Sequence, residues 1–319
     1  MNISSLKILV LGCEHCHIRG NSDFLANRDD LEVVGVWGRE AEYVRAMAKK
    51  LSAPVLSDTK NLPNADLAII TSDTRDHKAL VAACAGKVPA VHIDKPLGLD
   101  STDARELAQL AAPFGDLFAV GFFARLNPLM LNLKSLIEAG EIGALKHLSL
   151  SFGHTGRLDG WLDDWPMFGD RARFGYGSFG DIASQAIDVA TMLAGRLKPR
   201  ACVLRYKAGY DTDVGGTAIA TASGGALVRI FASAEMTGPR FEIRADGELG
   251  SLWLRGRTLG KYDESGEPVT LMDGQWSQAS DGPAALVARL QGAPYARYAT
   301  ASDGLYVNEM LDSFMALAT

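Results

Sequence analysis

Five short apolar runs, set apart by helical patterns, fill the first 128 residues and decide what the chain can become. They lie in KILVLG (7–12), LEVVGVWGRE (31–40), LAIITSDTRDH (67–77), PAVHIDKPLG (89–98) and FAVGFFARLNP (118–128). Their Val, Ile and Leu residues follow one another without strict alternation, which suits strands covered on both faces. Between them, EAEYVRAMAKKL sets Val44, Met47, Ala48 and Leu51 at helical spacing. HKALVAACAG and STDARELAQLAA repeat the pattern, the latter with Ser101 or Thr102 as the expected cap. Strand–helix alternation with short loops predicts an α/β fold with a parallel, doubly wound sheet. Ligands of such sheets lie beyond the carboxyl ends of the strands. The residues to inspect are therefore 12–17, Gly38 and Arg39, 71–77, and Asp94 to Pro96.

After residue 126 the pattern changes. PLMLNLKSLIEAGEIG predicts a helix, residues 145–153 a strand, and residues 181–194 a further helix. The loop between the last two carries Trp161, Trp165 and Phe168. Residues 200–262 read as strands joined by Gly-containing turns, so a mostly antiparallel sheet is expected. The closing DGLYVNEMLDSFMALAT has helical spacing.

A chain of 319 residues is long enough for two domains. Its net charge of −6 argues against a nucleic-acid partner. No apolar run reaches the ~20 residues that span a bilayer, so no membrane partner is expected. The opening MNISSLKILVLG has too short an apolar part for a signal peptide. Cys13, Cys16, Cys84 and Cys202 are too few and too irregularly spaced for a disulfide framework, and a reducing cytoplasm is the default expectation.

The first run ends in GCEHCH, where a dinucleotide loop would continue G-x-G-x-x-G. Gly12 is present, but Glu14 and His17 replace the later glycines. The fragment has several readings: a worn cofactor loop, a metal site of Cys13, His15, Cys16 and His17, a redox C-x-x-C, or an ordinary turn. The metal reading lacks a second ligand cluster at zinc-finger spacing. No metal ligand set is assigned on sequence grounds.

Several stretches together resemble the glucose–fructose oxidoreductase/inositol dehydrogenase family of NAD(P)-dependent oxidoreductases. HIDKPLG resembles its E-K-P motif, VGFFARLNP its G-[FY]-x-x-R-[FY]-x-P segment, and GDIASQAIDVATMLAG its D-[IL]-G-x-H-x-x-D-x-x-x-x-L-x-G segment. IEAGEIGALKHLSLS and IRADGELGSLWL match in the same order. The resemblance implies an N-terminal Rossmann domain over 1–124. It implies a C-terminal α+β domain over 125–319, with a large, mostly antiparallel open sheet that binds substrate and mediates oligomerisation. It also implies hydride transfer between a nicotinamide and a sugar, cyclitol or related small molecule, in a homodimer or homotetramer.

On that footing GCEHCH is the pyrophosphate loop, with Gly12, Glu14, His15, Cys16 and His17 as cofactor residues. Thr71, Ser72 and His77 after the third strand border the cofactor, as do Asp94, Lys95 and Pro96. The second strand ends in Gly38 and Arg39 rather than an acid, which favours NADP over NAD. Lys95 is the first catalytic candidate, and the resemblance implies a cis bond before Pro96. Asp181, Gln185 and Asp188 share one helix face at i, i+4 and i+7. The family has histidine where this chain has Gln185, and glutamine cannot take a proton at neutral pH. The resemblance places Asp181 and Gln185 in catalysis and substrate binding, with Arg125, Trp165 and Tyr176 also on the substrate. Either Lys95, with Asp181 beside it, carries the proton, or another side chain does, Tyr176 and His154 being the candidates. Trp161 and Trp165 either stack on a sugar face or close the core. A second reading is a cofactor-binding sensor or partner subunit without turnover.

Overall fold

The computed structural model describes residues 5–319. The reading of the first residues as lacking a signal peptide falls partly on residues 1–4, outside the described residues. By its contacts the chain forms two compact units. One runs through Phe123 and takes in Ala172–Gly175 and Gln278–Asn308. The other comprises Ala124–Arg171, Tyr176–Ser277 and Glu309–Thr319.

The first unit holds β1 (Leu6–Leu11), β2 (Leu31–Trp37), β3 (Leu67–Ile70), β4 (Ala90–Ile93) and β5 (Phe118–Val120). They form one parallel sheet in the order β2-β1-β3-β4-β5. Helices α1 (Ile18–Ala26), α2 (Ala41–Lys50), α3 (His77–Cys84) and α4 (Ser101–Ala111) alternate with the strands. Strands β3 and β4 are wholly buried, as is the second half of β1, which is why their sequences are apolar without alternation. The strand order reverses between β1 and β3, so the crevice beyond their carboxyl ends is the switch point of the sheet. Single bridges extend both edges, Val55 beside Val36 and Ala299 beside Val120.

One local expectation is corrected. The cap of α4 is Asp100, whose carboxylate accepts the Asp103 N–H at 2.8 Å, not Ser101 or Thr102. Asp100 is extended, so the helix starts one residue earlier and Ser101 is already its first turn.

The second unit begins with α5 (Pro128–Glu138), opened by the Asn127 side chain on the Leu129 N–H and by Pro128 in the first turn. After β6 (Leu145–Gly153) come the short α6 (Arg171–Phe174) and the long α7 (Ser178–Ala194). Then follow β7 (Leu197–Arg205), β8 (Gly215–Ala222), β9 (Leu227–Ser233), β10 (Phe241–Gly247), β11 (Ser251–Arg255), β12 (Thr258–Tyr262) and β13 (Pro268–Asp273). With β6 they build an eight-stranded sheet in the order β13-β12-β11-β10-β6-β9-β8-β7. Among the described residues of this sheet, only β6 and β9 pair in parallel. Helix α7 packs on β6, β8 and β9, and α5 on β11 and β12. A row of Ile219, Arg229, Ser149, Arg244 and Trp253 crosses five strands by register and is half-buried or exposed.

Helix α8 (Asp281–Leu290) packs on β4 and β5 of the first unit. The first half of α9 (Ala301–Ala316) belongs to the first unit and the second half to the second. Among the described residues, no helix is long and apolar enough to cross a membrane.

Candidate functional site

The turn after β1 is built on Gly12. Its φ of +97° is a conformation that L side chains rarely adopt, and a Cβ there would overlap the Ser72 backbone. The Gly12 N–H donates to Trp37 O at 2.6 Å, the Thr71 hydroxyl to Gly12 O at 2.9 Å, and the His15 N–H to Thr71 O at 3.0 Å. The first loop is thus locked to the ends of β2 and β3. Thr71 and Ser72 act on this loop from beneath.

Glu14 turns away from the loop's outer side. One carboxylate oxygen accepts the Cys13 N–H at 2.9 Å, and the other accepts the N–H groups of Arg39 at 2.6 Å and Glu40 at 3.2 Å. The side chain is 2% exposed, and burial raises its carboxyl above the usual range against the pull of those three amides. Gly38 leaves the room it needs, since a Cβ there would press on the Glu14 carboxylate. Helix α1 starts at Ile18 with no side-chain cap and no acidic residue in its first turn. A tight glycine turn, two imidazoles, an uncapped helix start and a carboxylate directed inward fit the pyrophosphate of a dinucleotide.

Beyond β2 lies a network of charges. The Arg39 guanidinium donates from Nε and one Nη to both oxygens of buried Asp76, each at 2.5 Å. That pairing raises the Arg39 pKa further. Arg173 holds Asp73 in the same two-pronged way, at 2.7 and 3.0 Å, and reaches Glu40 at 3.4 Å. Arg75 adds a third contact to Asp73 at 2.9 Å. Arg39 is half-exposed, with Asp76 behind it.

After β4, the Asp94 carboxylate is within 2.9 and 3.0 Å of His17 Nδ1 and 3.4 Å of His15 Nδ1, and accepts the Lys95 N–H at 2.8 Å. Burial alone would raise its carboxyl. His15, His17 and Lys95 outweigh burial and hold it far below the usual range. Lys95 is 4% exposed, and the Lys95–Pro96 bond is cis. His77 lies under this turn, with Nδ1 3.1 Å from Leu97 O, and burial lowers its pKa. His77 therefore shapes the Lys95 turn through the Leu97 backbone.

In the second unit, α7 is buried almost all round. Asp181 and Gln185 are each 4% exposed, and the Gln185 side-chain oxygen accepts the Ala124 N–H at 3.2 Å. Arg125 makes a two-pronged ion pair with Asp188, with Nε 2.8 Å from one oxygen and an Nη on the other. The Tyr176 hydroxyl donates to Asp312 at 2.6 Å. Trp165 is buried, while Trp161 lies tilted against His154, whose Nδ1 accepts the Gly156 N–H at 3.0 Å.

A profile described as an oxidoreductase family with an NAD-binding Rossmann fold matches residues 6–122, and one for the GFO/IDH/MocA C-terminal domain matches residues 130–253. The chain belongs to the GFO/IDH/MocA oxidoreductase family. Its first unit carries the family's NAD(P)-binding Rossmann domain. The trans-1,2-dihydrobenzene-1,2-diol dehydrogenase of Sus scrofa is 27% identical over 206 residues, 61% of this chain and 59% of that protein. The dTDP-3,4-didehydro-2,6-dideoxy-alpha-D-glucose 3-reductase of Streptomyces violaceoruber is 26% identical over 221 residues, 68% of this chain and 63% of that one. The match thus spans about three fifths of these relatives' length. A 3-ketoreductase from Actinomadura kijaniata, solved with TDP-benzene and NADP, shares the fold at a TM-score of 0.80 and 19% identity, covering 98% of each chain.

Two site features of this GFO/IDH/MocA chain escape a reading of spacing. Asp76 belongs to the run TSDTRD, where a helix-opening acid is commonplace, and only the fold sets it against Arg39. Asp213 caps α7 from a distant loop: its carboxylate accepts the Phe179 N–H at 2.6 Å and its own C=O accepts the Ser178 N–H at 3.1 Å. Gly177 must be glycine because a Cβ would overlap that carboxylate. Burial pushes the Asp213 carboxyl up to about 6.

Proposed function

We propose that the chain is an NAD(P)-dependent oxidoreductase, preferring NADP, that acts on a hydroxyl or carbonyl of a sugar, cyclitol or related small molecule. The observation that carries this reading is Lys95: a buried ammonium one residue after Asp94, at the carboxyl end of a Rossmann strand, in a chain of this family.

When bound, the nicotinamide supplies or accepts the hydride. Lys95 donates a hydrogen bond to the reacting oxygen and moves the proton there, a task that suits a lysine drawn out of water. Asp94 fixes the backbone of Lys95 and the ring of His17 together. Asp181 and Gln185 are assigned to the substrate. Gln185 orients an oxygen and carries no proton, so Lys95 bears the acid–base step that a histidine would share. The half-exposed Arg39 favours a 2′-phosphate. Glu14 does not serve as a ribose acceptor, because its oxygens are already taken by backbone amides. Arg125, Trp165 and Tyr176 are placed in this reading at the substrate's border.

The protein works in the cytoplasm as a homodimer or homotetramer, associating through the sheet face that carries Ile219, Arg229 and Trp253. A cofactor-binding sensor without turnover is the second reading. Gln185 favours it, since its oxygen is spent on the Ala124 N–H.

Calorimetric titration with NADP⁺, NADPH, NAD⁺ and NADH is the first test. Tight binding of the phosphorylated pair, weakened by Arg39→Asp, supports the cofactor reading, and binding of none of the four sinks it. Lys95→Ala then separates the two readings: loss of turnover on a sugar panel with NADPH binding kept means an enzyme. A wild type that binds NADPH and turns over nothing on that panel favours the sensor.

A further inference from the structure

We propose that His15, Cys16 and His17 form a binding site for a zinc-type divalent ion, oriented by Asp94, that excludes the dinucleotide from the same turn. One donor atom from each of the three residues lies within 4.8 Å of the others. Tetrahedral zinc, with Zn–N about 2.0–2.1 Å and Zn–S about 2.3 Å, sets neighbouring donors about 3.3–3.7 Å apart. Rotamer adjustments of about an ångström close that gap. Two imidazoles and a thiolate are a borderline-soft set that suits zinc over magnesium or calcium.

The frame around these donors is already rigid. The His15 N–H is fixed on Thr71 O at 3.0 Å, and the Ile18 N–H on His15 O at 3.0 Å. Asp94, from a different strand end, grips His17 Nδ1 at 2.9 and 3.0 Å. A His17 that donates Nδ1–H to this carboxylate keeps its lone pair on Nε2, and a carboxylate behind an imidazole strengthens it as a metal ligand. His15 Nδ1 lies 3.2 Å from the His17 N–H, and any proton the ring carries on that nitrogen leaves when the ion binds. The ion then takes its lone pair. Cys16 and His17 are partly exposed and His15 is buried, so an ion enters from solvent and meets a fixed ligand beneath.

Three protein donors leave a fourth position for water. With the ion in place, His17 Nε2 is a ligand and no longer a donor toward a pyrophosphate. The exclusion rests on reading this turn as the pyrophosphate loop; the metal site itself does not.

The test uses full-length protein freed of any His-tag and treated with chelator. Titration with Zn²⁺ should give one ion per chain with a Kd of about 10 μM or tighter. Titration with Co²⁺ should give a thiolate charge-transfer band. Cys16→Ser should abolish the band, and His17→Gln should weaken binding at least about tenfold. No stoichiometric binding, or binding and spectrum unchanged in both variants, overturns the site. NADPH affinity is then measured with and without zinc. A loss of at least about tenfold, reversed by chelator and absent in Cys16→Ser, is expected from mass action. Equal affinity overturns the exclusion. If the metal-free protein binds no NADPH at all, the cofactor reading has failed while the zinc result stands.

Discussion

The Glu14 carboxylate accepts the Arg39 N–H at 2.6 Å, so an acid from the first loop closes the end of the second strand. The same side chain satisfies the amides of Cys13 and Glu40. Glu14→Ala leaves those amides without their acceptor in a buried place and should destabilise the protein by about 2–3 kcal/mol. Glu14→Gln keeps one acceptor oxygen and should cost about 1 kcal/mol. Urea unfolding of the two variants checks the order.

Asp76 neutralises Arg39 from behind, with two contacts of 2.5 Å. Asp76→Asn keeps one acceptor oxygen but removes the charge. NADP⁺ affinity should rise by about three- to tenfold at low salt, with NAD⁺ little changed, because only the 2′-phosphate responds to the freed guanidinium. Parallel changes for both nucleotides would mean that the pair only holds the loop.

Arg125 and Asp188 form a largely buried pair, 15% and 2% exposed. Arg125→Ala strands the Asp188 charge and should cost about 3–5 kcal/mol. The double variant Arg125→Met, Asp188→Leu should recover most of that, since replacing both charges removes the uncompensated one. Failure of the second change to recover stability would assign Arg125 packing that the ion pair does not capture.

Two buried groups give stability opposite slopes with pH. Burial lowers the His92 imidazole to about 4, and neither ring nitrogen has a hydrogen-bond partner among the described residues. The unfolded chain binds this proton first as pH falls, so the contribution of His92 is present above pH ~6.5 and lost as pH falls through ~4. Asp213, raised by burial to about 6, acts the other way. Its contribution is present below pH ~4 and lost as pH rises through ~6. His92→Met should therefore gain on the order of 2 kcal/mol over wild type at pH ~4.5 relative to pH ~7, and Asp213→Asn should gain a similar amount at pH ~7 relative to pH ~4.5. Urea midpoints at the two pH values read both changes.

Much of the first unit was legible from local pattern. Unalternating apolar runs mark β1, β3 and β4 because both faces of those strands are covered. The helical spacing of Val44 and Ala48 marks α2 for the complementary reason, burial of one face only. The cap of α4 was misread because Asp100, Ser101 and Thr102 all carry oxygens suited to the task. Backbone conformation, not composition, selects among them.

The sequence by itself determined the doubly wound sheet, the large second sheet, the glycine turn at Gly12 and the presence of the Asp94-Lys95-Pro96 turn. The doubly wound sheet and the glycine turn follow from the periodicity of burial and from near-neighbour interactions, while the size of the second sheet and the Asp94-Lys95-Pro96 turn follow from the family resemblance. Only the tertiary structure decided where the charges go. Glu14 meets Arg39, Arg39 meets Asp76, Arg125 meets Asp188 and Asp213 caps α7 across gaps of 25, 37, 63 and 34 residues. A carboxylate leaves no periodic trace of its partner. The partner is fixed by which strand ends and loops the fold brings within hydrogen-bond reach, and by the cost of burying a charge that finds none.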